Sequence, residues 1–395
     1  MRHWPIGGEP GRTGRHGTAW VCIEPQTALL DCANMDYTSS SRRLRKSALF
    51  LVAAAFLVPR LALSDPAWHF AVSGDSRNCG DVVMPSIADG ARENQAKFYW
   101  HLGDLRAIFD FDEDFRMLHP KATISEYLGN AWLDFQQNQV EQFGTMPFFL
   151  GIGNHDTLPP KTRDEFALTF ADWLNVPVIR EQRLKDNPHD HTVRTYYHWI
   201  RDGIDFINLD NATPDQFDFE QIKWLSSVLQ HDRQDSNIRA LVVGMHEALP
   251  ESLTRGHSMS ENPSSEATGI IVYEQLLEIR KTKPVYVLAS HSHFVMEGIF
   301  DTPYWRQHGG VLPGWIIGTA GAFRYALPPG SSQAKLAKSH VYGYLLAKVS
   351  APGEDVKDPI HFKFQEVTEA MVRPEVIQRF SADFVHHCYQ DNAQN

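Results

Sequence analysis

The sequence predicts an α/β domain. Two observations carry this: five short, nearly continuous apolar runs, and stretches of helical period between them. A third observation says where function sits. Each of the five runs ends in a polar residue of ligand type, mostly beside glycine. Apolar runs without alternation fit strands buried on both faces.

In chain order, Trp68 to Ser73 reads as a strand ending at Gly74-Asp75. Phe98 to Leu102 reads as a second, ending at Gly103-Asp104, with His101 expected as a packed core residue. Pro147 to Ile152 ends at Gly153-Asn154-His155-Asp156. Val193 to Leu209 resembles a hairpin turning at Gly203 and ending at Asp210-Asn211, where a turn role is expected. Ala240 to Gly244 ends at Met245-His246. Pro284 to Ala289 ends at Ser290-His291-Ser292-His293. Asp218 to Gln230 and Ile271 to Ile279 carry apolar residues at helical spacing. Segments 314–318, 343–349 and 361–367 read as further strands. One domain is expected over residues 66–380, with 381–395 as a loose C-terminal tail that exposes His386 and His387.

The chain has 395 residues, 43% hydrophobic and 11% aromatic, enough for a sizeable core. A formal net charge of -11 argues against nucleic acid as a partner. It does not exclude a phosphate substrate, because bound metals would supply local positive charge.

The first 64 residues are expected to lie outside the domain. Arg42-Arg43-Leu44-Arg45-Lys46 precedes an apolar run from Ala48 to Val58, of signal-peptide length and short of a membrane span. Residues 35–64 read as a signal peptide cleaved after Ser64, which makes the protein exported, periplasmic or secreted, with no transmembrane span in the mature chain. An uncleaved N-terminal anchor is the alternative, and Ser41-Arg42-Arg43 also resembles a twin-arginine signal. Residues 1–34 read as a mis-called extension, with Met35 the true start. Of the four cysteines, Cys79 and Cys388 fall in the mature chain. They either form one disulfide or stay as two thiols.

A single Gly-Asp after a strand is ordinarily a turn or a helix cap. Five such ends in order are a different matter, since they supply Asp75, Asp104, Asn154, His246, His291 and His293. These oxygen and nitrogen donors suit borderline divalent metals, and ligands gather at the carboxyl ends of strands in open α/β sheets.

With these elements the chain resembles the calcineurin-like metallophosphoesterases, which include the purple acid phosphatases. Gly153-Asn154-His155-Asp156 is the most specific match. Gly318-Thr319-Ala320-Gly321 and Tyr342-Gly343-Tyr344 also resemble the closing segments of that family. The resemblance implies a four-layer α/β/β/α sandwich of two mixed sheets flanked by helices. It implies two divalent metal ions, iron, manganese or zinc, bridged by Asp104. Asp75 and His293 would complete the first position, and Asn154, His246 and His291 the second. His155 would face the phosphoryl group as donor or general acid, with Asp156 orienting it. The implied activity is phosphoester hydrolysis by in-line attack of a metal-bound hydroxide on a small phosphoester.

The match departs from the family at its extra first-metal ligands and at its fourth element, where Glu247-Ala248 follows His246 in place of the common His-Pro. Most members carry Asp-x-His where this chain has Asp75-Ser76-Arg77, and purple acid phosphatases place a Tyr where Ala107 stands. Arginine stays protonated and cannot ligate a metal. Three readings of Arg77 therefore stand: it binds the substrate phosphate with its planar fork, it pairs structurally with an acid, or the first site is weak or empty. The last makes a non-catalytic or mononuclear member the alternative to an enzyme. His189 and His191 read as surface loop residues, and Arg324-Tyr325 as residues that could reach substrate. Specificity is expected from loops at 159–183 and 251–268.

Overall fold

The computed structural model describes residues 66–212, 215–254, 256–354 and 357–393. The expected extension, signal peptide and alternative anchor lie outside the described residues. No described helix is long and apolar enough to cross a membrane.

Two mixed sheets build the domain. The first holds β1 (Trp68–Ser73), β2 (Ala96–His101), β3 (Phe148–Leu150), β11 (Tyr342–Val349) and β12 (Ile360–Val367). The second holds β4 (Tyr197–Arg201), β5 (Ile204–Asn208), β6 (Ala240–Gly244), β7 (Val285–Ala289), β8 (Val295–Glu297), β9 (Gly314–Ile317) and β10 (Leu336–Lys338). Their orders are β12-β11-β1-β2-β3 and β10-β8-β9-β7-β6-β5-β4. β1, β2 and β3 run parallel to one another, as do β5, β6, β7 and β9. Antiparallel strands close both edges of the second sheet and the β12 edge of the first. The expected hairpin is β4 and β5, turning at Asp202-Gly203, where Gly203 takes φ +76°.

Aromatic side chains fill the space between the sheets. Phe206 meets Phe70 and Phe98 edge-on at 5.2 Å, and Trp199 stacks on Phe149 at 3.9 Å. Outside the second sheet, Val272, Tyr273, Leu276 and Ile279 of helix Pro263–Arg280 bury against Leu241, Val243 and Val287. Helix Gly80–Glu93 covers the first sheet, burying Val82, Val83 and Ile87. Strands buried on both faces need a helix on one side and the other sheet on the other, which is why their apolar runs are continuous. The α/β/β/α layering is as expected.

Two expectations about segments need correction. The described part of the expected tail, residues 381–393, is not loose: Ala382–Gln390 is a helix with Val385, Cys388 and Tyr389 buried, and Cys388 is bonded to Cys79. Its apolar residues three and four apart pack on the core, and burial holds the segment in place. Segment 159–183 is not a loop, since it holds helices Arg163–Thr169 and Ala171–Leu174 and most of Pro177–Asp186.

Candidate metal centre

The six expected ligands lie together at the carboxyl ends of β1, β2, β3, β6 and β7. Three of them turn the chain themselves. Asp75, Asp104 and His291 take φ of +62°, +59° and +62°, a region that is strained for residues other than glycine. This turn swings each side chain off its strand axis into a common crevice. The turns are locked by neighbours: Asp75 N–H donates to Gly103 O at 3.0 Å, Ser76 N–H to Asp104 O at 3.1 Å, and His291 N–H to Asp75 Oδ2 at 2.8 Å. Two glycines make room. A Cβ on Gly318 would fall 2.8 Å from Asp75 Oδ2, and one on Gly153 would meet Asp104 Oδ1 and sit 2.9 Å from His246 Cε1.

At the second position, Asp104, His246 and His291 bring one donor atom each within 4.8 Å of the others. His246 Nε2 lies 3.0 Å from Asn154 Oδ1, 3.4 Å from Asp104 Oδ1 and 3.2 Å from His291 Nδ1. The tautomer of His246 follows from its other nitrogen. Nδ1 lies 3.0 Å from both Leu102 O, a carbonyl that can only accept, and Ser290 Oγ; with the proton on Nδ1, Nε2 carries a bare lone pair. Acceptor atoms thus converge with too few protons between them, which is the signature of a cation site. Burial brings the His291 pKa down to about 3, so its ring is neutral at ordinary pH.

At the first position, Asp75, Asp104 and His293 also bring their donor atoms together. Asp75 Oδ1 and Asp104 Oδ2 are buried and have no hydrogen-bond partner, and His293 Nε2 is 3.3 Å from Asp75 Oδ1. Arg77 reaches into this group. Its Nη2 donates to His293 Nε2 at 3.2 Å, and its Nε lies 3.4 Å from Asp104 Oδ2. Burial alone would raise the Asp104 carboxyl, but the neighbouring His246, His155 and Arg77 outweigh it and hold its pKa below the usual carboxylate range.

His155 stands at the mouth. Its Nδ1–H donates to Ala107 O at 2.8 Å and its Nε2 turns towards Asp104 Oδ2, 3.9 Å away. The expected role of Asp156 needs correction. It does not orient the His155 ring, because its two oxygens accept from the backbone N–H groups of Gly153, Asp104 and Leu105 at 2.8, 3.0 and 2.9 Å. The reason is local: the 3-10 turn His155–Thr157 folds Asp156 back under the loop, where bare N–H groups need an acceptor. Asp156 therefore ties the β2 and β3 site loops to each other.

Of the remaining expectations, His101 is buried, with Nε2 3.0 Å from Ser76 Oγ. Asp210 and Asn211 are fully buried rather than placed in an open turn, with Asp210 2.8 Å from Arg163 Nε and Asn211 bracketing the Glu247 backbone. Arg324 points away, donating to Asn392, His340 and Cys388 carbonyls, while Tyr325 stacks on His293 at 4.1 Å. Three residues at the mouth carried no sequence signal. His257 stacks on Tyr325 at 5.1 Å, Glu261 joins His257 and His291 in a more exposed donor group, and exposed Phe109 lies 5.2 Å from His155.

No family model matches the chain, and no curated protein sequence matches it. Solved structures do. The chain is similar to purple acid phosphatase PPD1 from yellow lupin (Lupinus luteus), with TM-score 0.51 and 13% identity over 76% of this chain and 51% of that one. It thus spans about half of the lupin chain. A dimetal phosphatase from Danio rerio aligns with TM-score 0.47 and 12% identity over 76% of this chain and 97% of that one. GAP50, the anchor in the inner membrane complex of Plasmodium, aligns with TM-score 0.45 and 10% identity over 84% of this chain and 97% of that one. The two-sheet sandwich is the fold of the purple acid phosphatase, the fold expected of calcineurin-like metallophosphoesterases.

Proposed function

We propose that this chain is an exported, metal-dependent phosphoester hydrolase. The observation that carries the reading is the convergence of Asp104 Oδ1, Asn154 Oδ1, His246 Nε2 and His291 Nδ1 at the second position. The donor set fits a divalent cation such as iron, manganese or zinc. Such a cation would supply a water of lowered pKa as nucleophile and would neutralise part of the phosphoester charge.

The chain's own residues do the rest. Asp104 stays ionised and fixed, because His155 N–H donates to its Oδ1 at 2.9 Å. His155 has its Nδ1 proton committed to Ala107 O, so Nε2 is the atom that faces substrate. In the protonated ring, Nε2–H would give its proton to the leaving oxygen as the P–O bond breaks, the general-acid role. Arg77 keeps N–H donors beyond those aimed at His293 and Asp104, and these would bind a non-bridging phosphoryl oxygen. Phe109, His257 and Tyr325 would line the leaving-group side. The Cys79–Cys388 disulfide supports export, since such bonds persist in oxidising compartments.

The test is direct. Residues 65–395 are purified, bound metal is counted, and p-nitrophenyl phosphate and its bis ester are assayed with manganese, iron or zinc. Metal-dependent turnover that disappears in Asp104→Ala supports the enzyme. Metal-loaded protein inert on both esters and on a broad ester panel would overturn it in favour of a phosphoester- or protein-binding member.

A further inference from the structure

We infer that the Arg77 guanidinium takes the place of the first metal ion, so the centre pairs one divalent cation with one fixed organic cation. This rests on the proposed reading that the second position holds a metal.

The argument is one of lone pairs. His293 Nδ1 lies 2.5 Å from Phe323 O, which can only accept, so the ring proton is on Nδ1. The lone pair that would ligate a metal is then on Nε2. Arg77 Nη2 can only donate, and it stands 3.2 Å from that atom. The lone pair is thus already used. The Asp104 carboxylate shows the same division. Asp104 Oδ1 faces the second position, 3.4 Å from His246 Nε2, whereas Oδ2 faces Arg77 Nε at 3.4 Å.

The charges agree with this. Asp75 and Asp104 are both fully buried, so the first position needs positive charge. Arg77 supplies it permanently, because a guanidinium is not deprotonated in proteins. Arg77 is itself 8% exposed and cannot swing into water without leaving the buried Asp104 carboxylate and His293 Nε2 without their cationic neighbour. A divalent ion in the same place would be repelled by a cation that cannot leave. The sequence is consistent on both counts, since Arg77 and Ala107 stand where the resembled family has its extra first-metal ligands.

The experiment counts metal. The chain covering residues 65–395 is loaded with excess Mn²⁺, exchanged into metal-free buffer, and measured by elemental analysis and electron paramagnetic resonance. The unchanged protein should retain one equivalent and give the six-line signal of isolated Mn²⁺. Arg77→His, which supplies a ligand in place of the guanidinium, should retain two equivalents and give an exchange-coupled spectrum. The same count in Glu261→Gln removes the exposed His257, Glu261 and His291 group from the total. Two coupled ions in the unchanged protein would overturn the inference while leaving the hydrolase reading intact. No retained metal would overturn both. The count on the unchanged protein decides the matter even if Arg77→His fails to fold.

Discussion

The two halves of the centre are built from the same kind of residue on the same kind of strand end, yet they are not alike. At the second position four donor atoms from β2, β3, β6 and β7 face one another with no positive group among them. At the first, the Asp104 carboxylate and the His293 imidazole, beside Asp75, receive a guanidinium that comes from the loop after β1. A strand-end scaffold thus fixes where donor atoms sit, while a single neighbouring side chain decides what charge they receive.

The strongest way to break this comparison is at the residue both halves share. Asp104→Ala removes an oxygen from each position and leaves Arg77 without its carboxylate. Loss of metal and of charge stabilisation is worth several kcal/mol, so kcat/KM should fall about ten-thousandfold or more. Retained metal would show that the second position does not need Asp104.

A smaller effect separates the proton donor from the cation. His155→Ala leaves the six donor residues untouched and should leave metal content unchanged. Loss of a general acid costs about a hundredfold to ten-thousandfold. The loss should be larger for an alkyl phosphate than for p-nitrophenyl phosphate, whose leaving oxygen needs no proton. An equal loss on both would point to positioning by His155 alone.

The centre was more legible in the sequence than its supports. Each ligand follows an apolar run, so strand ends and donor types could be read together. The role of Asp156 could not, because a carboxylate beside a histidine looks the same whether it serves the ring or the backbone. Its true partners, Asp104 N–H and Leu105 N–H, lie about fifty residues away. The stack of His257, Tyr325 and His293 was hidden for the same reason, as it joins three separate loops with no local pattern. Helix Ala382–Gln390 is the opposite case. Val385, Cys388 and Tyr389 sit at helical spacing, and the signal was short enough to pass for a tail.

The scaffolds of the two halves also differ, and buried charge tests the second. On the β4–β5 hairpin, His198 lies between Asp205 at 2.8 Å and Asp186 at 2.7 Å. Burial opposes its charge, but Asp205 and Asp186 outweigh it and push its pKa up to about 10. The folded value exceeds the unfolded one of about 6.5. This contribution to stability is therefore full below pH 6.5 and is lost as pH rises through about 10. His198→Ala should cost ~3–5 kcal/mol near neutral pH, measured by urea unfolding, because it leaves the buried Asp205 carboxylate without its imidazole. The deficit should shrink in alkaline buffer. A deficit constant with pH would mean that His198 is neutral in the fold.

The first half is held differently, by a cross-link. Cys79, two residues after Arg77, is bonded to Cys388 across 309 positions of sequence. The same C-terminal segment holds the 319–325 loop, where Arg324 Nε donates to Asn392 O at 3.1 Å and Cys79 N–H reaches Gly321 O at 3.2 Å. Replacing both cysteines by serine should cost ~2–4 kcal/mol of stability, read as a lower urea midpoint. The sharper expectation concerns function, since no donor at the second position touches this segment. Mn²⁺ affinity should therefore stay within about twofold, while the Michaelis constant rises as the Arg77 loop gains freedom. Lost Mn²⁺ affinity would mean that the two halves are supported as one unit, and the contrast between them would then lie in charge alone.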